Sequence, residues 1–266
     1  MEPEKISEAV EIYCGMRLEQ RRLDRLPESC TPSDSTEAYA VQGALNARLA
    51  ELGQGPVSGH KIGCTSKVMQ EYLKIDQPCS GGIYANTVFH QRGERHHGAY
   101  CRPGVECEIA VKLGATLTAE GAPYDKDSVA AAVESCMAAI EVVDDRFVDY
   151  PKLELPTMLA DDFFNAGCVL GAPVSGWQQL NIDTLRGEMS INGESVGSGF
   201  GRDVMGHPFN VLAWLANSLI ERGRVLEAGE FVLTGSLVET KWCAPGDVVR
   251  VEIEGLGAAE MQFSAD

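Results

Sequence analysis

The sequence predicts an α+β protein, with a helical N-terminal extension over residues 1–56 packed on a β-rich body over residues 57–266. Two amphipathic helical patterns fill the first 56 residues, and strand-like runs dominate from Gly167 onward. A single long helical pattern, Pro208 to Arg222, interrupts those runs and is closed by Gly223. No internal repeat, low-complexity tract or interdomain linker divides the chain.

Taken in order, residues 7–26 carry a helical pattern rich in Arg and Glu, broken over 25–35 by two prolines and small polar residues. Ser35 or Thr36 then caps a second helix, in which Ala38, Val41, Leu45, Leu49 and Leu52 recur at helical spacing until Gly53-Gln54-Gly55-Pro56. A strand follows from Val57 to Gly63. Lys61 within it reads equally as a solvated edge residue or as a cation for a substrate. A short helix is expected from Ser66 to Leu73, and a loop from Asp76 to Gly82 by its turn chemistry. A helix is expected from Asp127 to Ile140. Asn192-Gly193 marks a two-residue hairpin turn within 187–196. Strands are expected at Phe231–Leu233, Val248–Ile253 and Ala259–Phe263, with Pro245-Gly246-Asp247 as a turn.

The run Val105-Glu106-Cys107-Glu108-Ile109-Ala110-Val111 is the most informative stretch. Side chains alternate along a strand, so Glu106 and Glu108 share one face while Val105, Cys107, Ile109, Val111 and Leu113 turn to a core. Adjacent like charges repel, and a hard divalent ion between them relieves the repulsion. Glu141, at the end of the expected helix, offers a third carboxylate. Three carboxylates without His or Cys point to Mg2+ or Mn2+ rather than zinc or copper. The competing reading is that Glu106 and Glu108 line the wet face of an edge strand.

Composition narrows the partners. A formal net charge of −17 argues against nucleic acid or an anionic membrane surface, both of which demand basic patches. No apolar run is long enough to span a bilayer, and the N-terminus lacks a signal-peptide pattern, so a cytoplasmic location is expected. The nine cysteines include no C-x-x-C pair and read as reduced packing thiols.

Two motif matches fail on context. Gly193-Glu194-Ser195-Val196-Gly197 fits G-x-S-x-G, with Asp203 and His207 following, but a nucleophile elbow needs a strand, a sharp turn and a helix, and Gly193 already belongs to the hairpin. Gly197-Ser198-Gly199-Phe200-Gly201 matches no phosphate-binding loop and is expected as a flexible turn or lid.

Several short matches, in order, resemble one family. They are Ala38-Tyr39-Ala40-Val41-Gln42, Gly59-His60-Lys61-Ile62-Gly63-Cys64-Thr65-Ser66-Lys67, Val105 to Ala110, and Ile140-Glu141-Val142-Val143-Asp144. Later matches are Gly206-His207-Pro208, Ala213-Trp214-Leu215-Ala216-Asn217, and Val232-Leu233-Thr234-Gly235-Ser236-Leu237 with Pro245-Gly246-Asp247. Together they resemble the 2-oxopent-4-enoate hydratases and oxalocrotonate decarboxylases of the fumarylacetoacetase superfamily.

The resemblance implies a fumarylacetoacetase-like body and a divalent ion, Mg2+ or Mn2+, held by Glu106, Glu108 and Glu141. It also implies a substrate-facing Lys61 and a 2-oxo-acid carboxylate near Thr234, Gly235 and Ser236. The implied reaction is hydration of a short 2-hydroxydienoate to a 4-hydroxy-2-oxo acid. Decarboxylation of an oxalocrotonate-like diacid is the alternative, and a catalytically weak assembly partner of such an enzyme is a third reading. A homo-oligomer is expected. The chain departs from the family pattern twice: Cys79-Ser80-Gly81 stands where an aspartate usually follows Gln-Pro, and Phe163-Phe164 replace small polar residues. The resemblance therefore implies a reshaped pocket.

Overall fold

A computed structural model describes residues 1–65, 70–71, 75 and 77–265. The helix expected from Ser66 to Leu73 lies for the most part outside the described residues.

Helix α1 spans Pro3–Leu18, with Pro3 in its first turn, and buries Ala9, Val10, Tyr13, Cys14 and Met16. It ends eight residues before the expected Leu26. Helix α2 spans Ser35–Leu49, and its cap is Asp34, whose carboxylate accepts from Glu37 N at 2.9 Å, rather than Ser35 or Thr36. Its buried residues, Ala38, Val41, Gln42, Leu45, Asn46 and Leu49, follow a 3.6-residue period.

The remaining chain builds a sheet. Its first strands are β1 (Val57–Gly63), β2 (Cys79–Tyr84), β3 (Val88–His90), β4 (Arg92–His96), β5 (Pro103–Leu113), β6 (Val133–Asp144) and β7 (Asn165–Leu170). Then come β8 (Arg186–Ile191), β9 (Glu194–Phe200), β10 (Phe231–Ser236), β11 (Lys241–Trp242), β12 (Val248–Ile253) and β13 (Gly257–Ser264). Helix α3, Pro208–Glu221, separates β9 from β10. The strand order is β2-β1-β10-β5-β6-β7-β3-β4-β13-β12-β8-β9, with β11 added beside β5. The sheet rolls over so that β12 and β13 pack against β6, and the Ala138 N–H donates to the Leu256 carbonyl at 3.3 Å. The main core fills this roll. A second apolar cluster joins α1 and α2 to Cys64, Cys79, Phe147, Met158 and Phe163.

Three expectations are overturned. Only Lys126–Ala130 of the expected 127–140 helix is helical, and Val133–Asp144 is strand β6. Eleven of its twelve residues are buried, because the strand is covered on both faces, and a doubly buried strand shows no alternation. The expected loop at 76–82 becomes strand β2 from Cys79 onward. The expected lid at 197–201 is strand for residues 197–200, paired to β8 with Gly187 opposite Gly199. The hairpin at Asn192-Gly193 forms as expected, with Asn192 at φ 53° and Gly193 at φ 85°.

Candidate metal centre

Strand β5 is central, flanked by β10 and β6, so the edge-strand reading of Glu106 and Glu108 does not hold. The β5–β6 register sets Glu106 directly opposite Glu141. Residues i and i+2 share a face, and opposed residues of paired strands stand about 5 Å apart, so register alone gathers three carboxylates. One oxygen from each of Glu106, Glu108 and Glu141 lies within 4.8 Å of the others. Glu108 and Glu141 are 0% exposed.

The protein's own donors satisfy only part of this cluster. Glu108 Oε2 accepts from Gly235 N at 2.7 Å, Glu141 Oε1 accepts from Asn165 Nδ2 at 3.0 Å, and the Thr240 hydroxyl donates to Glu106 Oε1. Among the described residues, Glu108 Oε1 and Glu141 Oε2 are buried without a hydrogen-bond partner. An unpaired buried carboxylate oxygen is expensive, and a hard cation with oxygen ligands supplies the missing interaction. The donor set thus fits Mg2+ or Mn2+.

Lys61 comes from β1, the strand beside β10, and is 2% exposed. Its Nζ is 3.1 Å from Glu141 Oε1, which excludes a solvated edge residue. Burial opposes its ammonium, but the charges of Glu141, Glu106 and Glu108 outweigh burial and raise its pKa. Burial first, then the neighbouring Glu141 and Glu106, pushes the Glu108 carboxyl well above its usual range, against the pull of Gly235 N–H and Lys61. Glu141 is also pushed up by burial, with Lys61 opposing.

Lys61 and Glu106 open into a cavity of about 380 Å³ whose walls include Thr65, Phe163, Ser236, Leu237 and Val238. The three β10 residues implied as a carboxylate subsite divide here. Gly235 donates its N–H to Glu108 and Ser236 lines the cavity, but the Thr234 hydroxyl is buried and donates to the Ile109 carbonyl at 2.9 Å. Thr234 therefore braces β10 against β5. Cys79 is not in a turn: it opens β2, is 2% exposed, and lines a different cavity with Tyr39, Leu155 and Leu159. Its thiol pairs with that of Cys64, which raises Cys79 well above the usual thiol range, with burial adding to the effect, and lowers Cys64. The sequence patterns assign no role to Cys64, Thr65, Asn165 or Thr240. Cys64 and Thr65 sit within the Gly59–Lys67 match, and that adjacency to Lys61 was the available signal.

The G-x-S-x-G match is silent. Ser195 Oγ donates to Glu188 Oε1 at 2.5 Å, and His207 Nδ1 accepts from Phe209 N at 3.0 Å as the cap of α3.

Fold and site define a class: a rolled, largely antiparallel β protein whose three clustered carboxylates, beside a buried lysine, fit a hard divalent ion. The chain belongs to the fumarylacetoacetate (FAA) hydrolase family, whose C-terminal domain matches residues 85–264. Over 239 residues it is 34% identical to a 2-keto-4-pentenoate hydratase of Paraburkholderia phymatum, covering 90% of each chain. It is 31% identical over 227 residues to a 4-oxalocrotonate decarboxylase of Pseudomonas putida, covering 85% of this chain and 84% of that one. The solved 4-oxalocrotonate decarboxylase of Pseudomonas putida G7, complexed with magnesium and adipate, superposes with a TM-score of 0.91 at 27% identity. That match covers 99% of this chain and 98% of the other.

Proposed function

We propose that the protein is a metal-dependent hydro-lyase that adds water to a short 2-hydroxydienoate or 2-oxoenoate, giving a 4-hydroxy-2-oxo acid. The observation that carries this is the meeting of Glu106, Glu108, Glu141 and Lys61 in one buried cluster that opens into the cavity through Lys61 and Glu106. Identity of 34% to a 2-keto-4-pentenoate hydratase over most of both chains supports the choice of reaction.

Glu106, Glu108 and Glu141 would hold the ion. When bound, it supplies Lewis-acid stabilisation to the carboxylate and 2-oxygen of the substrate. Lys61, fixed by Glu141, presents an ammonium where negative charge develops on the 2-oxygen as the dienol becomes a 2-oxo-3-enoate. Water then adds at C4. Gly235 N–H and Asn165 Nδ2 orient Glu108 and Glu141, and Thr240 orients Glu106. Ser236 lines the cavity with its hydroxyl donated to the Val238 carbonyl at 2.6 Å, so a hydrogen bond to the substrate carboxylate requires that hydroxyl to rotate. The wall of Phe163, Leu237 and Val238 excludes bulk water from the rest of the pocket.

Decarboxylation of an oxalocrotonate-like diacid is the second reading, favoured by the 0.91 TM-score to a decarboxylase. The two reactions share the same enolate chemistry. The third reading, a weak assembly partner, is disfavoured because a chain without metal chemistry has no physical reason to bury two unpaired carboxylate oxygens together. Assembly into a homo-oligomer belongs to the proposal, testable by sedimentation. The functional test offers the purified protein, with Mg2+ or Mn2+, 2-hydroxypenta-2,4-dienoate and 2-oxohex-3-enedioate in parallel. Loss of dienol absorbance without CO2 release is expected; CO2 release from the diacid alone would replace the hydratase reading with the decarboxylase, and turnover of neither would defeat both.

A further inference from the structure

We infer that Phe163 sets the substrate class of this cavity, selecting 2-oxo or 2-enol acids with one carboxylate and a short apolar tail over diacids. The inference rests on the proposed function in taking this cavity as the substrate site.

Asp162, Phe163 and Phe164 have φ values of 50°, 47° and 70°, three consecutive left-handed residues, none of them glycine. L-residues avoid this region because Cβ crowds the following carbonyl, so such a run persists only where its surroundings hold it. The surroundings do. The Asp162 carboxylate, 0% exposed, accepts from Asn46 Nδ2 at 2.9 Å, Gly82 N at 2.9 Å, the Tyr84 hydroxyl at 2.8 Å and Arg17 Nη2 at 3.1 Å. Facing strands leave room for the run: a Cβ on Gly81 would collide with the Asp162 carbonyl oxygen, and one on Gly63 would stand 2.8 Å from Phe163 Cδ1.

The two aromatics meet edge to face, with ring centroids 5.5 Å apart, and differ in what else they touch. Phe164 packs edge-on against Phe147 and Tyr150, with ring centroids 5.7 and 5.4 Å away. Phe163 lies in the cavity wall, its ring centroid 5.2 Å from Lys61 Nζ. The strained turn thus projects one aromatic ring beside the candidate metal centre.

That placement has a chemical consequence. With Leu237 and Val238, the ring makes an apolar wall for substrate carbons beyond the 2-oxo-acid head. Asp203 and Glu239, also lining this cavity, bring negative charge. A second substrate carboxylate would lose hydration against the apolar wall and meet charges of its own sign, whereas a vinyl or methyl tail gains contact.

The test compares wild type with Phe163→Ala and Phe163→Gly, the glycine variant relieving the left-handed strain so that folding is retained. Calorimetry with Mg2+ reads binding of 2-oxopentanoate and 2-oxohexanedioate, neither of which carries the alkene to be hydrated. Wild type is expected to favour the monoacid by about 30-fold or more, and loss of the ring to cut that preference by about tenfold. A preference unmoved in both variants, or a wild type that binds the diacid equally well, would overturn the inference. Turnover of dienoates is measured alongside. No turnover with the binding preference intact would defeat the proposed function alone, and turnover with no preference would defeat the inference alone.

Discussion

Replacing Glu108 with Gln separates the metal site from a merely structural cluster, because its two expected effects have opposite signs. The substitution keeps side-chain volume and an acceptor for Gly235 N–H, now 2.7 Å from Glu108 Oε2, and removes one charge. Carboxylate oxygens no more than 4.8 Å apart repel by at least about 3.5 kcal/mol per charged pair at an effective dielectric constant of about 20. Burial, with Glu141 and Glu106 beside it, pushes the Glu108 carboxyl well above its usual range, the direction this repulsion requires. We expect about 1–2 kcal/mol to be recovered in metal-free protein, a rise in Tm of about 2–6 °C. With metal the sign reverses. A hundredfold loss of Mg2+ affinity removes about 2.7 kcal/mol of ligand-linked stabilisation, with a comparable loss of turnover below saturation. Thermal unfolding in EDTA and in Mg2+, with calorimetric titration, reads both effects. An equal Mg2+-dependent gain in Tm for wild type and variant would refute the assignment.

Lys61→Met is expected to lower kcat by about 10²–10³-fold while Mg2+ affinity changes by less than about tenfold, because the lysine meets developing charge rather than the ion; steady-state kinetics and metal titration check this, and equal kcat would remove Lys61. Cys79→Ser is expected to leave the pH–rate profile unmoved, since Cys79 lines the neighbouring cavity, and a shifted profile would make the thiol catalytic. Cys79→Asp is expected to lower Tm without gaining pentadienoate hydration, because it places a charge at a position that is 2% exposed. For metal-free protein, Glu108 and Glu141 bind protons more tightly folded than unfolded, so stability falls as pH rises from about 4.3 through their raised pKa values. Unfolding from pH 5 to 8 should show this slope in EDTA, shallower in Glu108→Gln, and a flat or rising profile would contradict it.

How far the sequence could be read follows from what each residue touches. The alternation around Glu106 and Glu108 was legible because β5 turns one face to the core and the other to the cavity, with Val105, Cys107, Ile109, Val111 and Leu113 all 0% exposed. Glu141 was legible as a third carboxylate but was placed at the end of a helix. The stretch 127–140 is rich in Ala and strand β6 is covered on both faces, so local propensity favours a helix and only pairing with β5 reveals Glu141 opposite Glu106. Strand β2 was hidden for a related reason. Cys79-Ser80-Gly81-Gly82 has turn composition, yet a Cβ on Gly81 would strike Asp162 and one on Gly82 would stand 3.0 Å from Asn46 Oδ1, contacts with distant segments. The departure at Phe163-Phe164 was visible as bulk. That Phe163 lines the cavity while Phe164, in contact with it, packs on Phe147 and Tyr150 depends on the Asp162 anchor, whose donors come from α1, α2 and β2.

The claim on which everything turns is that Glu106, Glu108 and Glu141 hold one divalent ion at which a 2-oxo acid binds. Crystals soaked in Mn2+ with oxalate, a mimic of the enolate head, test it through the anomalous signal of the metal. A single strong peak is expected about 2.0–2.3 Å from an oxygen of each carboxylate, with oxalate completing the coordination and extending toward Lys61. A peak bound elsewhere on the chain, or oxalate binding with these three carboxylates free of metal, would contradict it.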